Sequence, residues 1–126
     1  MPDINYPIEM ISGVPVVTVP AEIDVTTADQ LRLALLDAAA RGHTTVVADM
    51  TRTRYCDSAG LGVLIRAHRR ALEEGGELRL VMPAHGAVFR IFTLTSLHLF
   101  IPRFDSLQEA VLERPATPIP PSCPAT

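Results

Sequence analysis

The sequence predicts an α/β fold, a mixed sheet of four to five strands that opens with an antiparallel hairpin, continues with parallel strands and is covered by about four helices. Three observations predict it. Two short β-prone runs, Ile8 to Ile11 and Val14 to Val19, flank Ser12-Gly13, a two-residue turn signal that joins antiparallel neighbours. Beyond them, apolar β-branched runs alternate with single stretches of helical period, and such crossover connections bring successive strands parallel in one sheet. The 126 residues, 48% apolar and 20% charged, suit one folded domain.

Taken in order, the elements follow from local chemistry. Thr27 with Gln30 three positions on suits a capping box, Ala28, Leu31, Ala34, Leu35 and Ala38 form a helical stripe, and Gly42 stops it. Thr44 to Met50 is a β-branched run suited to a buried strand. Leu61, Leu64, Ile65, His68 and Leu72 mark the next helical face, which ends at Gly75-Gly76. Leu78 to Met82 reads as a strand closed by Pro83, and Val88, Ile91, Phe92 and Thr95 then recur at helical spacing. A last short strand is expected within Leu99 to Phe104, broken at Pro102, and a last helix over Ser106 to Arg114. Residues 115–126 hold five prolines and no periodicity, so the domain is expected over 1–114 with a disordered tail after it.

Charge and cysteine usage narrow the function classes. A formal charge of -3, with basic residues that are all Arg and scattered, gives no pull toward nucleic acid. Cys56 and Cys123 lie far apart, without disulfide-framework or metal-ligand spacing, which fits a reducing cytoplasm. No stretch approaches the ~20 apolar residues that cross a bilayer, and no signal-peptide pattern opens the chain, so neither membrane nor export is expected. His43, His68, His85 and His98 show no i, i+4 pairing and no neighbouring ligand cluster, so no metal site is expected; no cofactor is called for, and whether a nucleotide or lipid binds stays open.

Ser58 is the most informative residue. It sits where an apolar strand gives way to an apolar-faced helix, and a helix start exposes unpaired N–H groups and the positive end of the dipole. Spacing alone favours Ser58 as a helix N-cap. Asp57 reads equally as a cap or as a group that positions the serine, and Asp24, ahead of Thr26 and Thr27, reads equally as a cap or as a neighbour of the serine. Gly60 and Gly62 each cost roughly 1 kcal/mol in a helix relative to Ala, so the close approach of a neighbouring strand or a partner must compensate. Phe89 and Arg90 read as a partly buried ring and a solvated charge, or as part of a partner surface.

Asp57-Ser58-Ala59-Gly60-Leu61-Gly62-Val63-Leu64 resembles the signature of the anti-sigma-factor antagonists, single-domain STAS proteins. Three further segments extend the resemblance over residues 8 to 113: Ala21-Glu22-Ile23-Asp24, Gly75-Gly76-Glu77-Leu78 through Pro83, and Val88 and Arg90 through Leu94-Thr95-Ser96-Leu97. Ala59 stands where many relatives carry a second hydroxyl residue, and Ser96 replaces a Gly. The resemblance implies a bacterial, cytoplasmic partner switch that is not an enzyme. In such a switch the unphosphorylated protein binds an anti-sigma factor that is a serine/threonine kinase and so frees a sigma factor. Phosphorylation of the serine matching Ser58 ends binding, and a serine phosphatase restores it. It implies a partner surface over Asp24, Asp57, Ser58, Ala59, Gly60, Leu61, Gly62, Phe89 and Arg90; oligomeric state stays open.

Two other readings compete. A serine-hydrolase elbow needs Gly-x-Ser-x-Gly, but Cys56 stands at the first Gly and no His is placed as base; a Walker-type loop is missing along with every Lys. The stronger alternative is a STAS subunit of a lipid-transport ATPase assembly or of a sensory complex.

Overall fold

A computed structural model describes residues 6–41 and 45–112. Strands β1 (Ile8–Ile11) and β2 (Val14–Thr18) form the expected hairpin. Ser12 and Gly13 both take positive φ, 52° and 80°, the backbone that a tight two-residue hairpin loop demands. After β3 (Glu22–Ile23) come α1 (Ala28–Ala39), β4 (Thr45–Asp49), β5 (Tyr55–Cys56), α2 (Ser58–Glu73) and β6 (Glu77–Val81). The chain then runs through α3 (Ala87–Leu94), a 3₁₀ turn over Leu97–Leu99, β7 (Arg103–Phe104) and α4 (Leu107–Leu112). The main sheet has five strands in the order β1-β2-β4-β6-β7, antiparallel between β1 and β2 and parallel thereafter.

Strand alternation sorts the core into two layers. Val17, Ala48, Leu78 and Leu80 join Leu31 and Leu35 of α1, Val63 and Leu64 of α2, and Val88 and Phe92 of α3 on one face of the sheet. Val16, Val47 and Val81 meet Ala110 and Val111 of α4 on the other. Short crossovers through α1 and α2 thus leave the C-terminal ends of the strands beside the starts of both helices, where open α/β sheets place their sites.

Several local expectations are corrected. The capping box does not form: Thr27 makes no side-chain cap, its hydroxyl oxygen instead accepting the Asp24 N–H at 3.0 Å, and Asp24 tethers the turn. Leu72 is half exposed, because α2 buries Gly60, Val63, Leu64 and His68, a face turned by about one residue. The short strand expected within Leu99 to Phe104 is present as Arg103–Phe104, directly after Pro102, with the 3₁₀ turn over Leu97–Leu99 ahead of it. The last helix starts at Leu107; residues 113 and 114, the Gly42 stop signal, Thr44, His43, Cys123 and the tail over 115–126 lie outside the described residues.

Two buried polar groups hold the layers in register. Arg79 and Glu77 lie on the α4 face of β6, with the Arg79 Nε donating to Glu77 Oε2 at 2.7 Å and another guanidinium nitrogen donating to the Ala110 carbonyl at 2.6 Å. The guanidinium also stacks over Phe104 at 5.4 Å. On the other face, His68 is 2% exposed; its Nδ1 accepts the Leu78 N–H at 3.1 Å, its ring meets Phe100 edge-on at 5.3 Å, and the Phe100 carbonyl is its other partner. Burial pulls the His68 imidazole below its ordinary value against the smaller opposing pull of the Phe100 carbonyl and Glu77, so the neutral form is favoured.

Removing one partner of a buried pair leaves the other charge uncompensated. Arg79→Met is expected to lower urea-unfolding stability by ~3–5 kcal/mol, and Glu77→Leu with Arg79→Leu together by less than Arg79→Leu alone; a single-variant loss under about 1 kcal/mol would show that apolar contacts alone hold α4. For His68 the folded value lies below the unfolded one near 6.5. The unfolded chain therefore takes up the proton first, stability is complete above pH 6.5, and it declines as pH falls below that point toward the folded value. Urea midpoints measured from pH 7.5 to 5 should show this decline in the wild type and a flatter curve in His68→Gln.

Candidate functional site

The site is built by a two-stranded ribbon too short to leave a period in the sequence. β3 and β5 pair in parallel with Glu22 opposite Tyr55 and Ile23 opposite Cys56, and the ladder is extended by the Asp57 N–H donating to the Ile23 carbonyl at 3.1 Å. Asp24 and Asp57 therefore leave the ribbon as neighbours. Ile23 and Cys56 point into the core, while Tyr55 on the opposite face is half exposed.

Each aspartate then ties the start of a helix. Asp24 Oδ1 accepts from the Thr26 N–H at 2.9 Å, the Thr26 hydroxyl at 2.5 Å and the Thr27 N–H at 3.2 Å, and its backbone carbonyl accepts the Ala28 N–H at 2.8 Å. These bonds, led by the Thr26 hydroxyl and then the Thr26 amide, hold the Asp24 carboxyl below the usual carboxylate range. Asp57 is the N-cap of α2, its Oδ1 accepting from the Ala59 N–H at 2.9 Å and the Gly60 N–H at 3.2 Å. Both helix starts thus lie at one end of the ribbon.

Ser58 is the first residue of α2, not its cap, which corrects the reading from spacing. Because Asp57 satisfies the first amides, the Ser58 hydroxyl is exposed and has no hydrogen-bond partner among the described residues. A group attached there meets a helix dipole on a fixed platform.

The remaining residues of the expected surface divide by burial. Gly60 is buried with a packing role: a Cβ there would come within 2.7 Å of Cys56 Sγ and 2.8 Å of an Ile23 methyl, so the neighbouring ribbon explains this glycine. Gly62 is different, since a Cβ would meet only the flexible Arg66 guanidinium, at 3.3 Å. Ala59, Leu61 and Phe89 are half-buried against the core, and the Arg103 guanidinium covers the Phe89 ring at 5.2 Å. Arg90 is exposed on α3, a helix that packs against β5 and so borders the ribbon. The structure adds Val25, 73% exposed directly after Asp24, and Tyr55 to the apolar surface at this end. A large exposed aliphatic beside a capping aspartate was the available signal for Val25. Tyr55 gave none.

Cys56 offers no chemistry. Burial, reinforced by the Asp57 charge, pushes its thiol up to about 12, which keeps it protonated and unreactive. Among the described residues, no group of three or more His, Cys, Asp or Glu side chains is placed to hold a metal ion, and no helix is long and apolar enough to cross a membrane.

Comparison with known proteins places this geometry in a family. The STAS domain family model matches residues 5–110. A curated relative, the anti-sigma F factor antagonist of Paenibacillus polymyxa, is 28% identical over 102 residues, 80% of this chain and 86% of its own. The crystal structure of an anti-sigma factor antagonist from Mycobacterium paratuberculosis is 28% identical with a TM-score of 0.72, covering 85% of this chain and 90% of that one. The Bacillus cell fate determinant SpoIIAA in its phosphorylated form shares the fold at 22% identity and a TM-score of 0.59, over 84% of this chain and 96% of its own.

The two glycines should respond oppositely to the same substitution. Gly60→Ala is expected to lower stability by ~1–3 kcal/mol, because overpacking against Cys56 and Ile23 outweighs the helix-propensity gain. Gly62→Ala should raise it by up to ~1 kcal/mol, since only a mobile guanidinium must yield. Denaturant unfolding of both checks this, and equal effects would refute the assigned packing contact.

Proposed function

Because the chain belongs to the STAS domain family, we propose that it acts as an anti-sigma-factor antagonist whose docking surface is the ribbon end carrying Asp24, Asp57 and Ser58. Unphosphorylated, it binds an anti-sigma factor that is a serine/threonine kinase and thereby releases a sigma factor. The kinase phosphorylates Ser58, and a serine phosphatase reverses the mark. The domain itself catalyses nothing in this scheme. The observation that carries the reading is the Ser58 hydroxyl, exposed and unpartnered among the described residues at the first position of α2, with capping delegated to Asp57.

Physical chemistry makes this hydroxyl a sufficient control point. A phosphate adds about -1.5 to -2 charge and three acceptor oxygens. At a helix start that charge is favourable within the domain, so the fold tolerates it. Inside a docking surface it must be desolvated next to Asp24 and Asp57, and an imposed cost of about 3 kcal/mol weakens binding more than a hundredfold. Val25 and Tyr55 supply exposed apolar area around the charged centre, and Arg90 supplies a positive charge at its edge.

The proposal is checked with native-cell pull-downs using Ser58→Ala and Ser58→Glu as baits, with intact-mass analysis of the wild type. Ser58→Ala is expected to retain a kinase anti-sigma factor, Ser58→Glu to lose it by at least tenfold, and the wild type to carry a phosphate mass on Ser58. Retention of one partner by all three proteins, with Ser58 unmodified, would reject the switch; a transporter assembly as that partner would establish the subunit reading.

A further inference from the structure

A second site lies away from Ser58, in the crease between α1 and α2. A cleft of about 220 Å³ opens there, floored by Leu35, Val63 and Leu78 and rimmed by Arg32, Arg66, Arg70 and one acid, Glu74. It exists because the helices face each other through Ala39, Ala67 and Ala71 at this level, side chains too short to meet across the gap. An apolar cavity of about 150 Å³ takes up six-carbon benzene, so this one has room for a chain of roughly eight carbons.

The rim selects the head group. Arg32 is already engaged by Asp29 at 2.8 Å and Arg70 more loosely by Glu74 at 3.8 Å. Arg66 has no ionic partner among the described residues, and its guanidinium lies back along α2 over Gly62 at the cleft mouth. A guanidinium presents paired N–H donors that match a carboxylate in two-point geometry. A neutral apolar ligand would leave this excess positive charge unanswered.

We propose that the α1–α2 cleft binds a medium-chain carboxylate, with its hydrocarbon tail over Leu35, Val63 and Leu78 and its head group on Arg66. The inference is independent of the role of Ser58, because the lining begins beyond the first turn of α2.

Titration of the ¹⁵N-labelled full chain with sodium octanoate, followed by two-dimensional amide spectra, tests it. Saturable shifts should map to the facing sides of α1 and α2, and 1-octanol should bind at least tenfold more weakly. Ala67→Leu, which fills the cleft, should abolish the shifts, and the surface variant Arg66→Glu should weaken octanoate at least tenfold while leaving octanol unchanged. Should Ala67→Leu fail to fold, Arg66→Glu decides alone. Absence of saturation, equal binding of octanol and octanoate, or indifference to Arg66→Glu overturns the proposal.

Discussion

The contact on which the site depends is the approach of Gly60 to Ile23 and Cys56. A side chain of any size at position 60 would strike Cys56 Sγ and the Ile23 methyl below 3 Å, so the first turn of α2 can lie on the ribbon only because one hydrogen stands where a methyl would be. Helix propensity opposes this choice by roughly 1 kcal/mol, and the burial of Ile23 and Cys56 on the same core offsets it. With α2 seated, the ribbon register fixes everything at its end: Asp57 follows Cys56 into the cap, Asp24 follows Ile23 into the turn before α1, and Ser58 is left facing out. The glycine that the motif appears to offer a partner is spent internally.

Division of labour between Asp57 and Ser58 follows from how few polar groups a helix start can satisfy. Four N–H groups need acceptors at each start, and a serine in the cap position would use its oxygen on one of them. Placing the aspartate at the cap, one residue earlier, satisfies two amides with a single carboxylate oxygen and frees the hydroxyl. Asp24 repeats the device at α1, where its carboxylate is bound by the Thr26 hydroxyl and the amides of Thr26 and Thr27. Both carboxylates are thereby fixed in position, and the bonds to Asp24 lower its proton affinity. Two ordered carboxylates at one ribbon end are the background against which the proposed phosphate on Ser58 would be felt.

Legibility in the sequence tracked element length. Strands and helices of four or more residues left a period of 2 or 3.6 that could be read, and the Ser12-Gly13 turn was explicit in residues able to take positive φ. The ribbon was invisible because two dipeptides, Glu22-Ile23 and Tyr55-Cys56, have no period, and their pairing is decided by packing between residues 33 positions apart. The capping-box pattern at Thr27 misleads for a related reason: Thr27 and Gln30 fit it, but Asp24, three residues earlier, accepts the Thr27 N–H that the Gln30 side chain would take, and the Thr27 hydroxyl is turned to the Asp24 N–H. The site motif was legible as residue types, and its roles were not, because Ser58 and Asp57 are both good caps and only backbone geometry tells which one caps.

The buried polar pairs explain why a local charge can act without disturbing the domain. Arg79 anchors α4 to β6 through its bond to the Ala110 carbonyl, on the face of the sheet opposite α2, and His68 bridges α2 to the β6 backbone through the Leu78 amide. Breaking either leaves a buried group unsatisfied, at a cost of about 1–3 kcal/mol for a neutral group and more for a charged one, so the layers resist rearrangement. A phosphate at the first turn of α2 has no comparable leverage on those bonds, since helix-terminus charge effects fade within one turn. Under the proposed function its free energy would therefore be expressed outward, at the surface that carries Asp24, Asp57, Val25 and Tyr55. In the proposed switch, rigid framing of an exposed hydroxyl would let one covalent mark be read as binding or release instead of as folding or unfolding.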